Sequence, residues 1–220
     1  MTKTGYYLSQ NIMNKKPQGI GRRIFARIQS HGCGWVFTPS HFEDMCSRTT
    51  VSTNLQRLRE ADKIRRLARG LYDYPKTHPK LGVLAPSVDA LAKALTGREA
   101  IRLQPSGAYA ANLLGLSTQV PMKVVYLTDG ASRTVQVGQR QIILKRTTPR
   151  NMATAGRISG LVIQALRHLG KEHVDDRIIA LLDRRLDQAA CDQLMKDIRF
   201  APVWVAEVFR ELAKGKEGAR

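Results

Sequence analysis

Cysteine, aromatic residues and acidic side chains are all scarce in this chain, and each shortage narrows what it can be. Its three cysteines, Cys33, Cys46 and Cys191, are odd in number and form no CxxC pair. A disulfide framework is therefore not expected, and a reducing cytoplasm is the expected setting. Aromatics make up 6% of the residues, too few for a platform that stacks the bases of a single strand. No apolar run approaches the roughly 18–20 residues of a membrane span, and the first thirty residues hold no continuous apolar core of the signal-peptide kind. GxxxxGK[ST] and GxGxxG are both absent, so no glycine-rich phosphate cradle is expected and no cofactor is implied.

What is present in excess is positive charge. Lys and Arg number 36 against 18 Asp and Glu, for a net charge of +18 over 220 residues. The excess is front-loaded: residues 1–80 carry 15 basic and 5 acidic side chains, 81–150 carry 9 and 3, and 151–220 carry 12 and 10. A surface of this sign attracts polyanions by counterion release, which supplies affinity without sequence information. Hydrophobic residues at 43% are enough for a real core, and the length suits a small domain followed by a larger one.

Local patterns divide the chain. Residues 1–19 read as a mobile basic arm. Ile20, Ile24, Phe25 and Ile28 recur at helical spacing, with Arg22, Arg23 and Arg27 on another face and Gly32 as the stop. Trp35, Val36 and Phe37 suggest a short strand. Thr38-Pro39 then reads as an N-cap followed by proline in the first turn, opening a brief helix over about 39–46 with Phe42 and Met45 inward. A further helix follows, in which Val51, Leu55 and Leu58 form a narrow apolar stripe. Arg48, Thr49, Thr50, Ser52, Thr53, Gln56 and Arg57 occupy its other faces, a polar surface expected to be free of acidic side chains. Ile64 to Pro75 reads as a hairpin turning at Arg69-Gly70.

Two short helices, the second presenting hydroxyl, amide and guanidinium groups, and then an arginine-tipped hairpin, describe a winged helix-turn-helix over 20–80. Arg57 suits guanine O6 and N7, Gln56 suits adenine, and the threonines suit phosphate or the thymine methyl. Arg48, Arg65, Arg66 and Arg69 suit backbone phosphates, which position without specifying. A polar helix face taken alone is most often only a solvated face; here the order of elements favours the DNA reading.

Residues 81–213 read as a second domain. Val88, Leu91, Ala92 and Leu95 build an amphipathic helix ended by Gly97, with Pro86 as an early-helix residue, and 106–116 a second helix. Strands are expected at 123–128, 133–137 and 141–145, forming a small antiparallel sheet within about 120–147, and helices fill about 155–213. Residues 214–220 read as a frayed tail. Arg133, Arg140, Lys145, Arg146 and Arg150 follow the strands and either extend a DNA footprint or, as strand-edge charges commonly do, discourage aggregation. The fold class expected is α+β.

His31, Cys33, His41 and Cys46 are chemically suited to zinc, but Cys33 lies between glycines and His41 and Cys46 fall on different sides of a short helix, so no metal site is expected. Asp175-Asp176 and Asp183 with Asp187 sit beside Arg177, Arg184 and Arg185 and read as surface ion pairs rather than nuclease ligands. The chain is expected to be non-enzymatic.

The stretch Leu55-Gln-Arg-Leu-Arg-Glu-Ala-Asp-Lys-Ile-Arg-Arg-Leu-Ala-Arg-Gly-Leu-Tyr72 resembles the AbiEi-type antitoxins of bacterial type IV toxin–antitoxin systems, clearly over about 20–75 and, through element order alone, over 80–200. The resemblance implies an N-terminal winged helix that represses its own operon at promoter repeats, a C-terminal domain serving antitoxicity, and a nucleotidyltransferase toxin encoded alongside. A homodimer is common for such regulators, and winged helices also bind paired repeats as monomers. The expected function is a sequence-specific double-stranded DNA-binding repressor. The competing expectation is a protein-interaction module holding a partner enzyme, with the basic front as a non-specific nucleic-acid tether.

Overall fold

Apolar spacing and capping residues place most elements. A computed structural model describes residues 19–97 and 100–217; all but the last residue of the arm expected over 1–19, and the end of the tail, 218–220, lie outside the described residues. Helix α1, Ile20–His31, buries Ile24 and Ile28 and ends at Gly32. Strand β1, Val36–Phe37, leads through Thr38 into a single 3-10 turn, Pro39–Phe42. The longer helix expected over 39–46 is therefore cut short. Thr38 donates its backbone N–H to His41 Nδ1 at 3.1 Å, closing the turn on itself. Helix α2, Arg48–Glu60, follows with Ser47 as its N-cap.

Strands β2, Arg65–Ala68, and β3, Leu71–Asp73, form a hairpin whose turn is Arg69-Gly70. Gly70 takes φ +70°, a conformation glycine adopts without the strain a side chain brings. Strand β3 also pairs with β1, setting Phe37 opposite Tyr72 and Val36 opposite Asp73 in a three-stranded sheet of order β1-β3-β2. Alternate residues point to opposite faces. Phe37 and Tyr72 join one core with Ile24, Ile28, Phe42, Val51, Leu55 and Ile64. Val36 and Leu71 join a second core, which includes α3, Val88–Leu95, capped by Ser87. Pro86 thus precedes the cap instead of entering the helix. Between these lies a small hairpin of β4, Thr77–His78, and β5, Gly82–Val83, which sequence reading did not anticipate.

The second core rests on a four-stranded sheet, β6-β7-β9-β8, made of Leu103–Ser106, Lys123–Thr128, Arg140–Arg146 and Arg133–Val137 in that spatial order. The β8–β9 pairing is antiparallel, as expected, and β6, a strand the sequence reading did not foresee, pairs antiparallel with β7. However, β7 and β9 run parallel because β9 inserts between β7 and β8, so the sheet is mixed and not purely antiparallel. Val124, Tyr126, Ile142 and Leu144 face α3. Helix α6, Ile158–Leu169, packs on β6 after the short α5, Pro149–Met152, and α4, Gly107–Leu113, bridges two cores, with Tyr109 in the one under α3 and Ala110 and Ala111 in the one around α6. The helix expected at 106–116 is thus shorter, with β6 placed ahead of it. Helices α7, Asp176–Arg185, α8, Gln188–Lys196, and α9, Val203–Glu217, pack with α4 and α6 around Leu166, Leu182, Leu194 and Phe209. The chain is α+β with a helical C-terminus.

Two polar devices lock these layers. Asp73, 1% exposed, receives Arg65 Nε at 3.1 Å and Nη2 at 2.6 Å, and Arg65 Nη2 also reaches the Leu84 carbonyl at 3.0 Å. The hydrogen bonds to Asp73 raise the Arg65 guanidinium above its ordinary value, against the opposing effect of burial. Asp197, 2% exposed, is held by Arg157 Nη1 at 2.5 Å, by the Ser159 hydroxyl and by Gln193 Nε2 at 2.8 Å, tying the loop before α6 to α8. Next to Ser159, Gly160 lets α6 approach β6: a Cβ there would run into the Thr154 carbonyl oxygen and come within 2.5 Å of Gln104 Oε1.

Removing Arg65 strands a buried carboxylate, so Arg65→Ala is expected to cost about 3 kcal/mol in urea unfolding, whereas a fully solvated arginine of the same hairpin would change stability by less than about 0.5 kcal/mol. Gly160→Ala is expected to cost about 2 kcal/mol by overpacking, read as a lower denaturation midpoint at unchanged slope.

Candidate nucleic-acid interface

Helix α2 begins where the Ser47 hydroxyl accepts the Thr50 N–H at 3.4 Å. Val51 and Leu55 are buried and Leu58 half-buried, which fixes the rotation of the helix and turns Arg48, Thr49, Ser52, Thr53, Gln56 and Arg57 to solvent. Thr50 differs from these. It is half-buried, its hydroxyl pairs with Ser47 Oγ at 2.9 Å, and its carbonyl accepts Asn54 Nδ2 at 2.8 Å. Close approach of α1 explains its position, since a Cβ on Gly21 would lie 2.6 Å from Asn54 Oδ1. The exposed groups are also partly engaged with one another. Thr53 Oγ1 donates to the Thr49 carbonyl at 3.1 Å, and Gln56 Nε2 donates to Glu60 Oε1 at 2.9 Å. Glu60 therefore shares the face expected to be free of acids, and an approaching ligand must displace it from Gln56.

The β2–β3 hairpin divides its arginines by strand alternation. Arg65 points inward to Asp73 and is structural, which sets it apart from its expected phosphate role. Arg66 and Arg69 are exposed, with Arg66 Nε donating only to the Ala68 carbonyl at 3.3 Å. Arg27 on α1 is likewise committed: it grips Asp44 through Nη1 at 2.7 Å and Nη2 at 2.8 Å, and reaches the His41 carbonyl at 2.8 Å.

Between the start of α2 and the hairpin runs a groove lined by Thr38, Ser40, Glu43, Arg48, Ser52, Arg66, Arg69, Tyr72 and Arg133. Arg133 opens β8 and reaches the groove because β2 and β8 touch across the two modules. Sequence reading grouped it with Arg140, Lys145, Arg146 and Arg150; of these five, Arg133 is the one that lines the groove. Nothing local in the sequence signals a meeting of residues 65–68 with 133–137. Four guanidinium groups thus border one concavity against a single acid, Glu43, which lies 3.9 Å from Arg48 Nε with both side chains exposed. An exposed pair of that length contributes little, so the groove keeps its positive potential.

Of the residues weighed for zinc, His31 stacks on Trp35 with ring centroids 3.8 Å apart, and His41 serves the Thr38 turn. Among the described residues no group of three or more His, Cys, Asp or Glu is placed to hold a metal, and no helix is long and apolar enough to cross a membrane. No curated protein matches the chain. A model for a family of unknown function, DUF6088, matches residues 23–194, a span that takes in most of α1, all the strands described above and most of α8. The chain therefore belongs to the DUF6088 family.

Proposed function

We propose that residues 20–75 act as a winged helix-turn-helix that binds double-stranded DNA. In this reading α2 lies in the major groove and the β2–β3 hairpin is the wing on the backbone. The observation that carries it is the convergence of Arg48 and Ser52, from the exposed face of α2, with Arg66 and Arg69 on one groove whose lining includes a single acid, Glu43. Thr49, Ser52, Thr53, Gln56 and Arg57 offer the donors and acceptors that read base edges. Arg48, Arg66, Arg69 and Arg133, which line the groove, offer charge to backbone phosphates. Thr50 and Arg65 support the helix and the hairpin from behind.

The excess of basic residues over 1–80 favours a polyanion at this end, and the nearly balanced charge of 151–220 suits a protein contact at the other. Together with the resemblance over 55–72, this favours an antitoxin-type regulator that represses its own promoter, with a nucleotidyltransferase as the protein partner. Val203, 80% exposed, and Met195 lie on that helical side and give such a partner apolar contact.

The test is a titration of the full chain against its own upstream DNA and a shuffled duplex of equal length at two salt concentrations. A preference of ~1000-fold or more that persists at the higher salt is expected for a specific regulator; equal affinities that collapse together with salt would instead make the basic front a tether for whatever the C-terminal helices hold. Within the specific case, Arg57→Ala is expected to lose about 1–3 kcal/mol on the preferred site only. Arg69→Ala is expected to weaken every duplex alike and to lower the salt slope by about one. Glu43→Gln, which removes the groove's acid, is expected to tighten binding to all duplexes.

A further inference from the structure

A second concentration of positive charge lies on the opposite face of the four-stranded sheet. In β9, Leu144 faces α3, so by alternation Lys145 faces the α6 side, and in β7 Leu127 follows Tyr126 in the same way. There a cleft forms between the ends of β7 and β9, the short α5 and the last turn of α6. Lys145 and Arg167 bring charge to it, and His168, Thr147, Asn151 and Gln164 bring hydrogen-bonding groups. No carboxylate lines it.

The cations are not consumed by the protein. Among the described residues Lys145 and His168 form no hydrogen bond or ion pair, and the contact of Arg167 is a long one, Nη1 to Asn151 Oδ1 at 3.5 Å. Asn151 is itself oriented by donating Nδ2 to Thr147 Oγ1 at 2.8 Å. Gln164, more than nine-tenths buried, accepts the Ser106 hydroxyl at 3.0 Å through Oε1. Its amide nitrogen has no partner among the described residues, and Gln164 lines the cleft, so this donor is free to meet a ligand there. An ammonium, a guanidinium, an imidazole and a fixed amide donor converging without a counter-charge ask for a compact oxyanion with several acceptor oxygens.

We propose that this cleft is a phosphoryl-binding site, separate from the N-terminal groove and independent of the DNA reading. Arg167 supplies a forked contact, Lys145 a point charge from the strand, and Gln164 a neutral donor from the floor. Apart from His168 the lining has no ring on which a base could stack, so recognition is of the phosphoryl group and not of a nucleobase. Its source is either a small phosphorylated molecule or the phosphodiester of a nucleic acid.

The test uses full-length protein carrying Arg48→Gln and Arg69→Gln, which weakens the N-terminal groove, titrated calorimetrically with pyrophosphate at constant ionic strength. Binding is expected, and adding Lys145→Gln and Arg167→Gln is expected to weaken it at least about tenfold, as the loss of charge-assisted hydrogen bonds implies. His168→Gln alone is expected to give a smaller, several-fold loss, and because His168 is exposed its folding is expected to be preserved. Absence of pyrophosphate binding, or equal binding with and without the cleft substitutions, overturns the proposal. Protein carrying only the cleft pair then identifies the source. A loss of duplex affinity with a shallower salt slope assigns the site to phosphodiester, and unchanged duplex affinity assigns it to a small phosphorylated ligand.

Discussion

The structure depends on a very small sheet having both faces buried. Strand β1 is two residues long and β3 three, yet their alternation sends Phe37 and Tyr72 into the helical core of α1 and α2, and Val36 and Leu71 into the core under α3. Two residues of strand cannot sustain themselves in water, so the sheet exists because each face is covered. Asp73 lies in this sheet, and a carboxylate there is tolerable only because Arg65 meets it with two hydrogen bonds. The orientation of the hairpin, and hence of Arg66 and Arg69, follows from that inward arginine.

Positive charge in this chain therefore has two separate uses. Arg27, Arg65 and Arg157 each bridge elements distant in sequence through a carboxylate, Asp44, Asp73 and Asp197 respectively. The surplus arginines, which lack such partners, collect at the edges of concavities on either side of the larger sheet. Among the described residues Asp73 and Asp197 are the acids buried in the architecture while most others are exposed, and with twice as many basic as acidic residues the outer surface still keeps a large positive excess.

Elements set by local periodicity were legible. Ile20, Ile24 and Ile28 mark α1, Val51 and Leu55 mark α2, and Arg69-Gly70 marks the hairpin turn, because each signal lies within one or two turns of chain. What was hidden depended on distant partners. Strand β6 contains Gln104 and Pro105 and does not look like a strand; proline is accommodated because β6 is an edge. The parallel pairing of β7 and β9 is a choice among strand orders that no short window encodes. Arg65 and Arg66 are indistinguishable as letters, and only the burial of Asp73 decides which one turns inward. For the same reason the candidate groove was half legible: its α2 face followed from spacing, while Arg133 joined it through a contact between modules.

The sheet shared between two cores also bears on how such a chain can be cut. The segment around 76–87 is largely exposed and looks like a linker, but the seam of packing runs elsewhere, through Val36, Leu67, Ala68 and Leu71 against α3. A fragment ending near residue 80 would carry that apolar side bare to water and would seek another surface to cover it. The family match spans residues 23–194 and so takes in both sides of the seam as well as the linker-like segment.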